Sequence, residues 1–157
     1  MDIIKNENIS SDTIYFLRKS MIFDTFEVKH YLGVNTSNVR TLLPIRNRDF
    51  NIWTFFEKRN VIGFLTFKDN EDDVKFLKVF YVLPEHRNKG YGKEILLSFY
   101  SQHHKIECKI NPGNERMYRL VSFINLRGEK STISQRTKDK GIPPIWWSNY
   151  KNNNDYV

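Results

Sequence analysis

The stretch Phe80-Tyr81-Val82-Leu83-Pro84-Glu85-His86-Arg87-Asn88-Lys89-Gly90-Tyr91-Gly92-Lys93 decides how the chain folds. Upstream of the turn, Val74 to Val82 is rich in β-branched and aromatic residues and predicts a strand. Downstream, Lys93-Glu94-Ile95-Leu96-Leu97-Ser98-Phe99-Tyr100 has the apolar spacing of an amphipathic helix. Between them lies a turn holding Pro84, Arg87 and two glycines. Strand, glycine turn and helix start, in that order, build an anion cradle. Glycine lets the backbone turn sharply and approach a ligand closely. The unpaired N–H groups of the first helical turn, at the positive end of the helix dipole, then face the anion.

Spacing narrows the choice. The nucleotide loop Gly-x-x-x-x-Gly-Lys-Ser/Thr fails, because Arg87 stands where its first glycine would be and Glu94 follows Lys93. The dinucleotide pattern Gly-x-Gly-x-x-Gly fails at Ile95. What fits is Val-x-Pro-x-x-Arg-x-x-Gly-x-Gly, filled by Val82, Pro84, Arg87, Gly90 and Gly92. In these residues the chain resembles the GNAT superfamily of N-acetyltransferases. The resemblance implies that the backbone amides of Asn88, Lys89, Gly90, Tyr91, Gly92 and Lys93 hold the diphosphate of acetyl-CoA, the cosubstrate. Arg87 and Lys89 would add charge, a guanidinium being matched to phosphate geometry.

A second anchor lies downstream. Asn111-Pro112-Gly113-Asn114 breaks a strand predicted over Lys105 to Ile110 and precedes a helix over Glu115 to Val121. The family often shows Asn-x-x-Ala-x-x-Leu-Tyr and then Gly-Phe; here Asn111, Met117, Tyr118 and Phe123 take those places. Asn114 for Ala and Ser122 for Gly depart from it. The two anchors cover roughly residues 74 to 123, about a third of the chain. The resemblance implies an α/β (α+β) fold: a central mixed, mostly antiparallel sheet flanked by helices and splayed at the acyl-CoA site, in one domain over 1–157 with 148–157 a frayed tail. It further implies direct attack of a primary amine on the thioester in a ternary complex. Pantetheine would lie between splayed parallel strands and bond to the backbone of Phe80, Tyr81 and Val82, where an N–H would stabilise the oxyanion. Asn111 would join the cofactor side, and Tyr118 would give a proton to the leaving thiolate.

No residue of the strand after Asp73 is a carboxylate, so the general base is not apparent. Glu57 and Glu107 are the candidates by element, and strand register decides which of them faces the cleft. A water chain, or an acceptor amine of low pKa, would dispense with both.

The remaining chain supports the same order of elements. A short strand is expected at Asp2 to Lys5, a first helix at Thr13 to Phe23 and a helical turn at Phe26 to Leu32. In the resembling family the early helices shape the acceptor side. Asn51 to Glu57 and Val61 to Phe67 flank Lys58-Arg59-Asn60 as a hairpin. Gly63 within its second strand signals a bulge or a close backbone approach. Pro44 argues against a central strand among the basic residues Arg40, Arg46 and Arg48. His103 and His104 read as surface or capping residues near a helix C-terminus, with no ligand set for a metal around them. Cys108 reads as a small core side chain. Ser131 to Arg136 is strand-like, and the stiff segment Ile142-Pro143-Pro144-Ile145-Trp146-Trp147 could line an acceptor pocket or stack on a base, but more often such a segment covers a sheet edge.

Bulk properties bound the function. The chain has 157 residues, long enough to bury a core, and 39% hydrophobic content, which excludes a disordered chain. It holds no alanine and a single cysteine, so no intramolecular disulfide is expected and a cytoplasmic setting follows as the default. No apolar run of about 18 residues predicts a membrane span, and Met1 to Asn8 lacks the apolar core of a signal peptide. The net charge of +7 attracts anions, whether cofactor, acidic protein or nucleic acid. Three functions compete on this basis: an N-acetyltransferase of small amines, peptides or proteins; the same fold acting on a nucleic-acid-borne amine, aminoacyl-tRNA or base; and a non-catalytic module binding CoA or nucleic acid. The oligomeric state stays open, a homodimer included.

Overall fold

A computed structural model describes residues 1–27, 43–44, 49–103, 105–110, 115–123, 127–130 and 145–148. The first strands pair with their sequence neighbours: β1 (Asp2–Lys5), β2 (Asn51–Glu57), β3 (Asn60–Asp69) and β4 (Lys75–Val82) form an antiparallel meander. The predicted hairpin is β2–β3, turned at Lys58, whose φ of 58° is left-handed. Then β5 (Ile106–Ile110) joins β4 in parallel, and β6 (Arg127–Lys130) and β7 (Ile145–Ser148) complete the sheet in the order β1-β2-β3-β4-β5-β7-β6. The sheet is thus mixed and mostly antiparallel, as the resemblance implied. The segment around Trp146 and Trp147 covers the free edge of β5 by pairing with it as a strand. Ser148, expected in a frayed tail, is the last residue of β7. The expected turn beyond Glu27, the basic cluster of Arg40, Arg46 and Arg48, Asn111, His104 and the strand-like Ser131 to Arg136 lie outside the described residues.

Helices cover both faces. On one, α1 (Ser11–Glu27) buries Ile14, Leu17 and Met21 against Phe64, Val79, Tyr81 and Leu83. Its start is capped by Ser10, whose Oγ accepts from Thr13 N–H at 3.1 Å. On the other face, α2 (Tyr91–Gln102) and α3 (Glu115–Phe123) set Ile95, Leu96, Phe99 and Val121 against Phe55, Leu65, Leu77 and Cys108. Cys108 is a core side chain, and burial pushes its thiol up to about 12, far from a nucleophile's range. No described helix is long and apolar enough to cross a membrane.

Gly63 sits where three strands crowd, opposite both Phe55 and Val82, beside a register shift between Phe55 and Phe56. A Cβ there would collide with the Tyr81 carbonyl oxygen, which is backbone and cannot swing aside. Gly63→Ala is therefore expected to lower stability by about 2 kcal/mol or more, read from urea midpoints.

At the opposite end of the sheet His103 ends α2, its N–H donating to Phe99 O at 3.0 Å. It caps the helix as expected, but its ring is no surface group: it packs on Trp53, Phe67 and Phe99 with centroids 4.9–5.4 Å away. Its Nε2 is buried and finds no partner among the described residues. Burial, helped by Lys75, lowers its pKa, while Asp69 and Asp73 pull the other way. Because the folded state favours the neutral ring, the unfolded chain takes up the proton first as pH falls. Stability present above about pH 6.5 is thus lost as pH drops from there through the lowered folded value. His103→Phe should flatten the loss of urea midpoint between neutral and mildly acidic pH; an unchanged slope would refute this.

Candidate functional site

β4 changes its facing halfway along. At its start, Lys75 N–H donates to Lys105 O at 2.8 Å, so Lys75 turns its backbone groups to β5, and Leu77, two residues on, does the same. The register with β3 then slips: Leu77 pairs with Phe67 and Val79 with Thr66, leaving Lys78 as a bulge. Beyond it, Leu83 N–H donates to Ile62 O at 2.9 Å, which sets Val79, Tyr81 and Leu83 toward β3. By alternation Phe80 and Val82 turn their N–H and C=O groups away from β3. Pairing with β5 has meanwhile ended at Leu77–Cys108, while Lys109 and Ile110 of β5 pair on to β7. Among the described residues a gap therefore opens beside β4, since neither Lys109 nor Ile110 pairs with it, and backbone groups of Phe80 and Val82 are turned to that side.

The turn after β4 sits at the mouth of this gap. Pro84–His86 forms a short 3-10 turn, with His86 N–H bonded to Leu83 O at 2.9 Å and Arg87 N–H to Pro84 O at 3.2 Å. Asn88 and Gly90 follow with φ of 62° and 87°. Gly90 is the N-cap of α2, and the first helical bond runs from Glu94 N–H to Gly90 O at 3.2 Å. The N–H groups of Tyr91, Gly92 and Lys93 thus precede the helical ladder, with no side chain capping them. Asn88, Lys89 and Gly90 are exposed, so the cradle opens to solvent. Lys93 stands nearby with Nζ 4.9 Å from the Phe123 ring at the end of α3.

Two sequence expectations need correcting. Arg87 does not aim its guanidinium outward: Nη2 bonds Asp24 Oδ2 at 2.6 Å, Nη1 bonds Asp24 Oδ1 at 3.3 Å, and Nε donates to Val82 O at 2.9 Å. The carboxylate is the preferred partner because it is nearly fully buried, its side chain 4% exposed, and a buried charge requires a counter-charge. Tyr81 does not offer its backbone to the gap either, since its phase in the ladder faces β3. Its side chain lies on the α1 face, where the hydroxyl and Ser20 Oγ are 3.0 Å apart and burial pushes its pKa up to about 12.

The two carboxylates weighed as bases lie elsewhere. Glu57 ends β2, two strands from β4, with its Oε2 4.0 Å from the N-terminal ammonium. Glu107 pairs with Phe76 where β4 and β5 are still joined, and its Oε1 accepts from Asn70 Nδ2 at 2.7 Å at the closed end of the sheet. Tyr118, on α3, is half-buried against the same core as Phe80 and Val82. Asp24 is not among the residues that the sequence motifs point to; its one signal there is an acid four residues after Ser20 on the inward side of a largely apolar helix.

With φ at 87°, Gly90 occupies a conformation that a side chain strains, although a Cβ there would meet nothing within 4 Å. Gly90→Ala is expected to cost about 1 kcal/mol through backbone strain alone, measured by urea unfolding; a neutral result would mean that the turn relaxes without loss.

The acetyltransferase (GNAT) family model matches residues 20–123. Among solved structures, the PaiA N-acetyltransferase of Thermoplasma acidophilum in complex with coenzyme A is 17% identical, covering 96% of this chain and 100% of its own, at a TM-score of 0.66. A ribosomal-protein-alanine N-acetyltransferase of Brucella melitensis is 16% identical over 96% of this chain and 100% of its own, at 0.66. An acetyltransferase of Thermus thermophilus is 12% identical over 95% and 97%, at 0.68. At these identities the likeness is one of fold. No curated protein matches the sequence.

Proposed function

The chain belongs to the acetyltransferase (GNAT) family, and from that premise we propose that it is an acyl-CoA-dependent N-acetyltransferase acting on a primary amine in a ternary complex. The observation that carries this reading is the gap opened by the Lys78 bulge, with Phe80 and Val82 backbone groups turned into it beside a cradle of unpaired helix amides. Those groups fit acetyl-CoA part by part. The amides of Tyr91, Gly92 and Lys93, with those of Asn88, Lys89 and Gly90, suit a diphosphate, and Lys89 adds charge. The backbone N–H and C=O of Phe80 and the N–H of Val82 suit the amides of a pantetheine arm, Val82 O being taken by Arg87 Nε. Acetyl-CoA would supply an activated acyl thioester.

The protein's part is to bind, orient and stabilise charge. An N–H of Phe80 or Val82 stabilises the negative charge that grows on the acyl oxygen. Tyr118 Oη is the proposed proton source for the departing sulfur. The reading rests on neither Glu57, whose Oε2 lies 4.0 Å from the N-terminal ammonium, nor Glu107, whose Oε1 accepts from Asn70 Nδ2 at 2.7 Å. An acceptor amine of low pKa is already neutral when it attacks, and the proton that its nitrogen sheds from the tetrahedral intermediate passes to water, so neither carboxylate is required. Nitrogen as the acceptor atom is supported by the names of the Thermoplasma and Brucella neighbours, both N-acetyltransferases.

Calorimetry should register acetyl-CoA binding to the full chain, and a thiol-release screen across amine classes should identify an acceptor. Tyr118→Phe should then lower kcat by about 10²-fold with coenzyme A affinity within about twofold. An unchanged kcat would remove Tyr118 from the chemistry, and absence of binding would remove the function.

A further inference from the structure

We propose that Asp24, acting through Arg87, is a positioning residue that sets the backbone of the diphosphate-binding turn from the helix on the other face of the sheet. The inference rests on the site reading above. The turn's amides converge only if residues 87–90 follow their present path, which includes left-handed Asn88 and Gly90. The outer half of that path, Asn88 to Gly90, is exposed. Its inner half has backbone bonds within the 3-10 turn and one side chain that ties it to the rest of the fold. Arg87 folds back so that Nε closes on Val82 O, and both terminal nitrogens close on the Asp24 carboxylate. The guanidinium also lies 5.3 Å from the Tyr81 ring, whose hydroxyl meets Ser20.

Ser20 and Asp24 are one helical turn apart on α1, so two contacts from one helix face reach β4 and the turn together. A planar fork held at two nitrogens and pinned by its third cannot rotate, which makes it a register pin rather than a diffuse attraction. With Arg87 committed to Asp24, the cradle is left to backbone amides, the helix dipole and Lys89. Its affinity then depends on where the backbone sits, and that is what Asp24 controls.

Titrations of coenzyme A and of pantetheine, which lacks the diphosphate, test this without needing an acceptor. The proteins are the unaltered chain, Asp24→Asn, Asp24→Glu and the double variant Asp24→Asn/Arg87→Met. Losing one member of a buried pair strands the other, so Asp24→Asn is expected to be less stable, whereas the double variant removes both charges and should recover much of that loss. Positioning predicts that the double variant regains its urea midpoint yet binds coenzyme A about tenfold or more weakly, with pantetheine affinity unchanged and Asp24→Glu intermediate. Coenzyme A binding that recovers along with stability, or that weakens equally for pantetheine, would show a purely structural pair and overturn the proposal. Tighter coenzyme A binding in Asp24→Asn would overturn it too, because Arg87 would then be a phosphate ligand that Asp24 restrains. Failure of the unaltered chain to bind coenzyme A is a separate result, which overturns the site reading and this inference with it.

Discussion

One residue without a partner on β3, Lys78, determines which way the backbone of β4 faces along its second half. In a regular strand flanked on both sides, each residue's polar groups are taken by one neighbour or the other, and nothing is left for a ligand. The extra residue turns Val79, Tyr81 and Leu83 to β3, and with described pairing to β5 ended at Leu77, Phe80 turns its N–H and C=O and Val82 its N–H to the other side, while Val82 O accepts from Arg87 Nε. Water can satisfy those groups in the free protein, so the opening costs far less than burying them unpaired would. The same shift places Phe80 and Val82 side chains on the α2–α3 face and Val79, Tyr81 and Leu83 on the α1 face. Facing of the backbone and division of the two cores are therefore one event.

The division explains why a buried ion pair sits where it does. The turn after β4 crosses from the sheet into α2, and only its inner side can be reached by α1. Asp24 reaches it with a bidentate contact across 63 residues of sequence. A buried pair of this kind is weak evidence for stability, since desolvation offsets much of the attraction. What it does supply is direction, because a fork held at three nitrogens admits one backbone path.

The sequence showed the parts of this site that are local. Proline, arginine and two glycines at fixed spacing between a strand and a helix are read within a dozen residues, and the structure has a turn and a helix N-terminus there. The hairpin and the close approach at Gly63 were legible for the same reason. The bulge was not. Residues 76 to 83 are apolar except for Lys78, so no alternation marks the place where the phase slips. Arg87 has the look of a phosphate ligand in the sequence because its counter-charge, Asp24, is distant along the chain, and the surroundings of Glu57 and Glu107 depend on strand register. Strand β6, Arg127-Gly128-Glu129-Lys130, contains no apolar side chain, and its pairing is imposed by β7 rather than by any propensity of its own.

If alternate backbone groups of β4 are held out of the sheet for a ligand, amide hydrogen exchange followed by NMR reads it residue by residue. Comparing the free protein with the protein saturated in coenzyme A, the account predicts slowed exchange at Phe80 and Val82 and at Tyr91, Gly92 and Lys93, with Tyr81 already protected and unchanged. Exchange that slows at none of these amides, or at Tyr81 while Phe80 and Val82 stay as they were, would contradict it.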